Sequence, residues 1–238
     1  MTEKGFVLLT GGGGGMGEKI ALKFLEDNFG VLAVSRNIST SLLSQSIVPA
    51  RCGISFYGAD VSQEEDVIRL MEHIAAMTDS IDVLVNGTGL TVVKPFHELT
   101  INEWNDVIGA NLTALFLCMK HALPFMKKNM WRKKHIFNIL SIAAERSFPG
   151  WSVYCAAKAG ALGFTEAIRP ELLEHGIRLT AILPGATNTS LWDALPGTWN
   201  RHVMLDPQVI ADTIKDIYDT PNEAVLEKVI IMPKSGVQ

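Results

Sequence analysis

The chain has few of the residues that mark several protein classes. Its three cysteines (Cys52, Cys118 and Cys155) are scattered and form no CxxC pair. This pattern predicts reduced thiols in a cytoplasmic protein rather than a disulfide framework. Charged residues make up 19 % of the chain, and the net charge is −4. We interpret the short basic run 132–134 as a solvated turn, so neither nucleic acid nor an acidic membrane surface is expected as a partner.

Long apolar runs and metal-ligand spacings are also missing. No apolar run reaches about 18 residues, so we expect no membrane span. Residues 1–5 lack the basic and apolar regions of a secretory leader, and we expect none. The six histidines show neither HxH nor HExxH spacing, which predicts no metal site. What is present is 238 residues, 47 % of them hydrophobic, enough for a single domain spanning 1–238.

Short apolar, β-branched segments alternate with longer segments of helical period along the chain. Strands are predicted at 6–9, 31–34, 54–59, 81–85, 136–140, 177–183 and 229–232, and helices at 15–29, 62–76, 100–128, 152–174 and from 206, with a short, weak helix and loop at 37–50. The alternation predicts an α/β fold, a single-domain, doubly wound, Rossmann-like parallel sheet with helices on both faces.

Several residues predict where the helices begin and end. Ser62 and Thr100 each precede a glutamate by three residues, the capping-box pattern at a helix N-terminus. Pro207 stands at the first helical position, where proline is tolerated. Pro170 falls inside the helix predicted at 152–174, which implies a kink or an early end there.

A run of five glycines joins the first predicted strand to the first predicted helix. The segment reads Thr10-Gly11-Gly12-Gly13-Gly14-Gly15-Met16-Gly17. Glycines remove the Cβ atoms that would block close approach of a ligand to the backbone. The N-terminus of the helix supplies oriented N–H groups and a partial positive charge. This position between strand and helix predicts a site for the phosphates of a dinucleotide rather than a flexible loop.

A second pattern suits proton transfer. Tyr154 and Lys158 are four residues apart on a predicted helix and therefore share one face, and Ser141 precedes the tyrosine by thirteen residues. Free tyrosine titrates near about 10, and nearby cations, Lys158 and a bound nicotinamide, are expected to lower that pKa. With Ser141 holding a substrate oxygen, the set predicts proton transfer to or from a carbonyl oxygen.

Together, the glycine segment and the Tyr154/Lys158 pair resemble the short-chain dehydrogenase/reductase family, with its TGxxxGxG and YxxxK motifs. The resemblance covers nearly the whole chain and includes the carbonyl reductases and 3-oxoacyl-carrier-protein reductases of the family. It implies a catalytic group of Asn111, Ser141, Tyr154 and Lys158. Asn111 would interrupt its helix and hold a water that links Lys158 to solvent. The resemblance also implies a homodimer or homotetramer with an interface built on helices 100–128 and 152–174.

The resemblance further implies a set of cofactor contacts at the glycine turn and after four other strands. They are Gly11, Gly13, Gly14, Gly15, Met16, Gly17, Ser35, Arg36, Asn37, Asp60, Val61, Asn86, Gly87, Tyr154, Lys158, Pro184, Gly185, Thr187 and Thr189. Two departures occur on the adenosine side. Gly87 and Thr88 replace the usual Asn and Ala, and Gly14 stands where NADP-using members often carry a basic residue.

The end of the second strand bears on the choice of cofactor. An acidic residue there would bind the adenosine ribose and repel a 2′-phosphate. This chain has Ser35-Arg36-Asn37 instead, and arginine is suited to phosphate. NADP(H) is therefore favoured, with NAD(H) left open.

A long, Trp-bearing connection at 185–205 follows the sixth strand and is predicted to form a substrate lid. The resemblance implies substrate contacts at Ala143, Phe148, Trp151, Leu191 and Trp192. These predict an apolar, aromatic pocket without a convergent cation. The favoured function is an NADPH-dependent oxidoreductase that reduces a hydrophobic ketone or a β-ketoacyl group, with Tyr154 as general acid. Two alternatives stay open: an NAD(P)+-dependent dehydrogenase of a secondary alcohol of steroid or polyol type, and a non-catalytic dinucleotide-binding scaffold.

Overall fold

The computed structural model describes residues 4–37 and 53–236. Within these ranges a parallel sheet has the strand order β3-β2-β1-β4-β5-β6-β7. The strands are β1 (Phe6–Thr10), β2 (Gly30–Ser35), β3 (Ile54–Gly58), β4 (Val83–Asn86), β5 (Lys134–Ile139), β6 (Ile177–Pro184) and β7 (Lys228–Ile231). The sequence predicted each of them within about two residues. The short helix and loop predicted at 37–50 fall almost entirely outside the described residues.

Helices cover both faces of this sheet. They are α1 (Gly15–Glu26), α2 (Glu64–Met77), α3 (Ile101–Ile108), α4 (Ala114–Met126), α5 (Ser152–Leu173) and α6 (Pro207–Asp219). On one face α1 and α6 bury Phe24, Ile214 and their neighbours, and on the other α2, α4 and α5 pack over a second apolar cluster. The predicted doubly wound parallel sheet is therefore confirmed.

The two predicted capping boxes had different outcomes. Thr100 caps α3 as predicted, because its hydroxyl accepts from the Glu103 N–H and the Glu103 carboxylate accepts from the Thr100 N–H at 2.9 Å. The Ser62 prediction is wrong, since α2 begins at Glu64 and the Ser62 hydroxyl donates to Asp60 at 2.7 Å. The Asp60 carboxylate accepts from both the N–H and the hydroxyl of Ser62, at 3.0 and 2.7 Å, and so holds Ser62 in the turn before the helix.

Two helical regions bear on the sequence predictions. The run Ile101–Met126 is long and apolar enough to cross a membrane by length and composition alone, and half of its apolar window is buried, as in a core helix. The absence of a membrane span stays an expectation. Pro170 does not end α5, which continues to Leu173. Arg169 helps to hold this end, because its guanidinium donates to the Leu179 and Glu227 carbonyls at 3.2 and 2.8 Å.

The basic run 132–134 is not a solvated turn throughout. Lys134 is the first residue of β5 and is fully buried, with its ammonium 2.7 Å from a carboxylate oxygen of Asp82. Both residues lie at the amino ends of their strands. The opposite edge, where the carboxyl ends of the parallel strands meet, is the edge at which such folds bind ligands, next to the switch in strand order between β1 and β4.

Candidate active site

The glycine segment makes a tight turn between β1 and α1. Gly11 has a φ of +72°, and a Cβ there would lie 2.5 Å from the Gly87 carbonyl group. A Cβ on Gly17 would lie 2.5 Å from the Gly11 oxygen, so both positions need glycine for packing. By contrast, a Cβ on Gly15 would meet no described atom within 4 Å. Gly14 caps α1 without a side chain, which leaves the N–H groups of the first turn free for an anion.

This turn forms the floor of a cavity of about 400 Å³, which we call the glycine cleft. Most of the predicted cofactor contacts line it: Gly11, Gly13, Gly14, Gly15, Met16, Gly17, Ser35, Arg36, Asn37, Asp60, Val61, Gly87, Tyr154, Lys158 and Thr189. Asn86 does not line it, since its amide is buried in the sheet and donates to Asn138 at 2.8 Å. Pro184, Gly185 and Thr187 line a neighbouring pocket instead.

Sequence reasoning missed several residues of the glycine cleft. They are Leu9, Val34, Ala59, Thr88, Gly89, Ile139, Leu140 and Ser190. Most of them lie at or just beyond the carboxyl ends of β1 to β5. The strand predictions alone could have identified them, because that edge of a parallel sheet is where the crevice opens.

The Tyr154/Lys158 pair lies on the first two turns of α5, facing the carboxyl end of β5. The Lys158 ammonium lies 5.6 Å from the centre of the Tyr154 ring and donates to the Ile139 carbonyl at 3.2 Å. Ser141 follows β5, and its hydroxyl accepts from the Ala143 N–H at 3.1 Å and is hydrogen-bonded to Tyr154. The structure therefore brings together the three side chains that the sequence pattern singled out.

Burial dominates the ionisation of this pair. It raises the pKa of Tyr154 to about 12, with the hydrogen bond to Ser141 opposing that rise. It lowers the pKa of Lys158 to about 8. The sequence led us to expect that Lys158 would lower the pKa of Tyr154. In the protein alone, burial raises that pKa instead. The phenol therefore carries its proton at neutral pH.

Asn111 lies in a π-helical turn, Gly109–Thr113, that interrupts the helix between α3 and α4. Its amide nitrogen donates to the Leu90 and Val107 carbonyls at 2.7 and 2.8 Å. Its oxygen Oδ1 is buried and has no donor in the described structure. A Cβ on Gly89 would lie 3.1 Å from this oxygen and 3.8 Å from the Lys158 Nζ. Two polar atoms beside one glycine suit a bridging water, although the water itself stays a prediction.

A second cavity of about 130 Å³, which we call the aromatic pocket, adjoins the glycine cleft at Tyr154. All five predicted substrate contacts line it: Ala143, Phe148, Trp151, Leu191 and Trp192. Ser141 and Tyr154 also line it. Trp199 of the lid belongs to the same wall, and so does Met232, which the sequence did not lead us to expect. No local pattern in the sequence marks Met232, because it reaches the pocket only through the position of β7.

The predicted lid, 185–205, is more ordered than the irregular connection that we expected. It contains two 3-10 helices, Ser190–Ala194 and Arg201–Val203. Its ends pair where the Leu205 N–H donates to Ala186 at 2.8 Å. Inside the loop, Arg201 donates to Asn188, Asp193 and the Thr189 carbonyl at 2.6–2.7 Å. This clasp fixes the loop that carries two of the tryptophans of the pocket.

Comparison with known proteins agrees with this geometry. The family model described as short chain dehydrogenase matches residues 5–198. A sepiapterin reductase of Chlorobaculum tepidum is 31 % identical over 241 residues, which cover 98 % of both chains. An acetoacetyl-CoA reductase of Shinella zoogloeoides is 35 % identical over 189 residues, which cover 79 % of this chain and 76 % of the relative.

Solved structures share the fold over almost the whole chain. A 3-ketoacyl-(acyl-carrier-protein) reductase from Brucella melitensis, complexed with NADH, has a TM-score of 0.88 at 23 % identity and 98 % coverage of both chains. ElxO with NADP bound has a TM-score of 0.84 at 27 % identity, covering 98 % of this chain and 97 % of the other. Proteins of this fold therefore bind both NADH and NADP.

Proposed function

The chain belongs to the short chain dehydrogenase family and is an NAD(P)-dependent oxidoreductase, and from that premise we propose that it uses NADPH to reduce the carbonyl of a hydrophobic ketone or β-ketoacyl compound. One observation carries this proposal. Tyr154 lines both the glycine cleft and the aromatic pocket, so one proton donor stands between a place for the cofactor and a place for an apolar substrate.

The names of similar proteins favour reduction over alcohol oxidation. The Tyr154 phenol is protonated at neutral pH, as a free tyrosine also is, and in either direction the same side chain exchanges the proton with the substrate oxygen. The two similar proteins, by their names, are both reductases.

Each residue of the site has a proposed task. When bound, the dinucleotide supplies hydride. The free N–H groups at the start of α1 would bind its pyrophosphate, and Lys158 would bond the nicotinamide ribose. Ser141 holds the substrate oxygen, and Tyr154 donates its phenolic proton to that oxygen. Asn111 holds the water through which Lys158 takes up a replacement proton from solvent.

The preference for NADPH rests on the turn after β2. Ser35, Arg36 and Asn37 all line the glycine cleft, and this described turn carries no carboxylate. The Asp60 carboxylate, across the cleft, accepts from the Ser62 hydroxyl and N–H. A guanidinium beside the adenosine ribose favours a 2′-phosphate.

Fluorescence titration with NADPH and NADH tests this preference. In Arg36→Ala we expect NADPH affinity to fall by about 10- to 100-fold, the contribution of a charge-assisted hydrogen bond. NADH affinity is the internal control and should stay unchanged, because NADH has no 2′-phosphate. Tighter binding of NADH by the wild type would contradict the NADPH assignment.

Tyr154→Phe tests the chemistry itself. We expect kcat/KM for a hydrophobic ketone to fall by about 10²- to 10⁴-fold, the usual contribution of a general acid, with NADPH affinity retained. Tyr57→Phe makes the same chemical change at β3, outside both cavities, and should leave turnover unchanged. Undiminished turnover in Tyr154→Phe would refute the mechanism. Absence of ketone reduction in the wild type, despite NADPH binding, would reopen the scaffold alternative.

Organisation, assembly and location complete the proposal. We propose a single domain spanning 1–238, a homodimer or homotetramer, and a cytoplasmic location. Phe116 on α4 and Phe164 on α5 lie edge to face, with ring centres 5.9 Å apart, and Phe116 is exposed, which supports contact between copies through these helices. Light scattering during size-exclusion chromatography measures the assembly, and a monomer at micromolar concentration would contradict it.

A further inference from the structure

The aromatic pocket restricts its ligand more narrowly than a hydrophobic pocket in general. Three tryptophans form one cluster: the Trp192 and Trp199 ring centres are 4.8 Å apart, and those of Trp151 lie 5.9 and 6.3 Å from them. The Trp151 ring centre is 5.6 Å from that of Tyr154. Aromatic rings at these separations prefer edge-to-face or offset contact with another ring. The proton donor is therefore next to a wall that can receive a further ring.

The pocket is also electrically neutral. Its lining consists of apolar side chains, glycine and the uncharged polar residues Ser141, Tyr154, Thr187 and Thr189. None of the described residues that line it is Asp, Glu, Lys, Arg or His. The charged side chains of the lid, Asp193 and Arg201, pair with each other at 2.7 Å. A substrate anion would lose hydration here without gaining a counter-charge, which is costly.

The size of the pocket is on the scale of a single ring. Its volume of about 130 Å³ is slightly below that of an engineered apolar cavity, about 150 Å³, that binds benzene. One ring with a short substituent is comparable in size. Fused ring systems and extended acyl chains are larger, so part of such a ligand would lie outside the aromatic wall.

Two of the tryptophans are held differently. The Trp192 indole donates to the Thr187 carbonyl at 2.8 Å, which fixes the plane of its ring. The Trp199 indole N–H is buried and has no acceptor in the described structure. The Trp199 ring is held by contact with Trp151 and Trp192 and not by a hydrogen bond. It is therefore the wall residue whose role is purely one of ring contact, and the one at which a ring preference can be tested.

We propose that the preferred substrate is a neutral ketone with one aromatic ring next to the carbonyl, and that Trp199 determines this preference. The ring lies against Trp151 and Trp199, and the carbonyl oxygen meets Ser141 and Tyr154. In the reaction, NADPH is oxidised to NADP+ as its hydride bonds to the carbonyl carbon. The Tyr154 proton bonds to the oxygen, which gives a secondary alcohol. This inference rests on the proposed reduction and excludes its β-ketoacyl branch.

Three ketones test the substrate class: acetophenone, cyclohexyl methyl ketone and acetoacetyl-CoA. The first two have the same carbon skeleton and differ in aromaticity, so we expect kcat/KM for acetophenone to be higher by about tenfold. Acetoacetyl-CoA should be the poorest substrate. Equal rates on the two ring ketones, or preference for acetoacetyl-CoA with dependence on Tyr154, would overturn this inference and leave the proposed function standing. Reduction of none of the three would count against both.

Trp199→Leu tests the determinant. We expect the acetophenone-to-cyclohexyl ratio of kcat/KM to fall towards one, whatever happens to the absolute rates; a purely structural defect would slow both substrates equally and leave the ratio unchanged. Trp131→Leu is the matched control, because Trp131 is 78 % exposed before β5 at the other edge of the sheet, and it should keep the wild-type ratio. Direct binding of acetophenone to the complex with NADP+, measured by calorimetry, should weaken in Trp199→Leu alone. An unchanged ratio and unchanged binding would refute the assignment to Trp199.

Discussion

Two lysines are almost completely buried, at opposite edges of the same sheet. Lys134 is 1 % exposed at the amino end of β5, and Lys158 is 3 % exposed beside its carboxyl end. The Lys134 ammonium has three partners within 3.0 Å, the Ser80 hydroxyl, the Ile81 carbonyl and the Asp82 carboxylate. At the other edge, Lys158 donates to the Ile139 carbonyl alone among the described residues, at 3.2 Å.

This difference separates a buried charge that stabilises from one that is available for chemistry. An ammonium has three protons to donate, and at Lys134 all three have acceptors. At Lys158 two are left over, next to the Asn111 oxygen that has no donor. Buried polar groups are normally satisfied, so a group left incomplete needs an explanation. We propose that a ligand completes these groups, because Lys158 lines the glycine cleft, where ribose and water are expected.

The substitution Lys158→Met tests this comparison most directly, because we expect it to reduce activity without reducing stability. We expect kcat/KM to fall by about 10²- to 10⁴-fold, because the partner of Tyr154 in proton transfer is gone. The free energy of unfolding should stay level or rise, since an incompletely paired buried charge is replaced by an apolar chain of similar shape. Ketone kinetics and urea denaturation measure both. A large loss of stability would mean that the two lysines are alike after all.

The opposite pattern is expected for Lys134→Met. Removing this ammonium leaves the Asp82 carboxylate buried without its main counter-charge, which costs about 3–5 kcal/mol. The kcat/KM of the folded fraction should not change, because the site lies at the other edge of the sheet. Adding Asp82→Asn should restore much of the stability by removing the stranded charge. A double variant as unstable as the single one would show that packing, not charge, explains the loss.

The sequence predicted the parts of the site that depend on local spacing. The glycines of the turn and the shared helix face of Tyr154 and Lys158 follow from backbone geometry and helical period. Contacts between distant segments were not predictable in the same way. Lys134 was interpreted as solvated, because nothing in the run 132–134 reveals that Asp82 lies opposite it on the neighbouring strand. Met232 was not predicted, because it reaches the aromatic pocket only through the position of β7.

The pH dependence of stability offers a finer test of Lys158. Burial lowers its pKa from 10.5 to about 8. Between these values the folded chain has lost this proton and the unfolded chain still binds it, so stability rises with pH across this window. The shift corresponds to at most about 3 kcal/mol. Denaturation of the wild type and Lys158→Met isolates this contribution, because the variant lacks the group and every other titration is shared. Parallel curves for the two proteins would contradict the lowered pKa.

The smallest expected effect concerns the other cation near Asp82. Arg132 lies 3.3 Å from the Asp82 carboxylate, but its side chain is 31 % exposed and stacks on Trp131. Partly exposed pairs of this kind contribute about 0–1 kcal/mol. Arg132→Met should therefore lower the free energy of unfolding by no more than about 1 kcal/mol and leave kcat/KM unchanged. The same replacement at Lys134 should cost several times more, as measured by urea denaturation. If Arg132→Met and Lys134→Met were equally unstable, burial would not explain why Lys134 stabilises the fold. The difference between Lys134 and Lys158 would then depend only on how many of their hydrogen bonds are made.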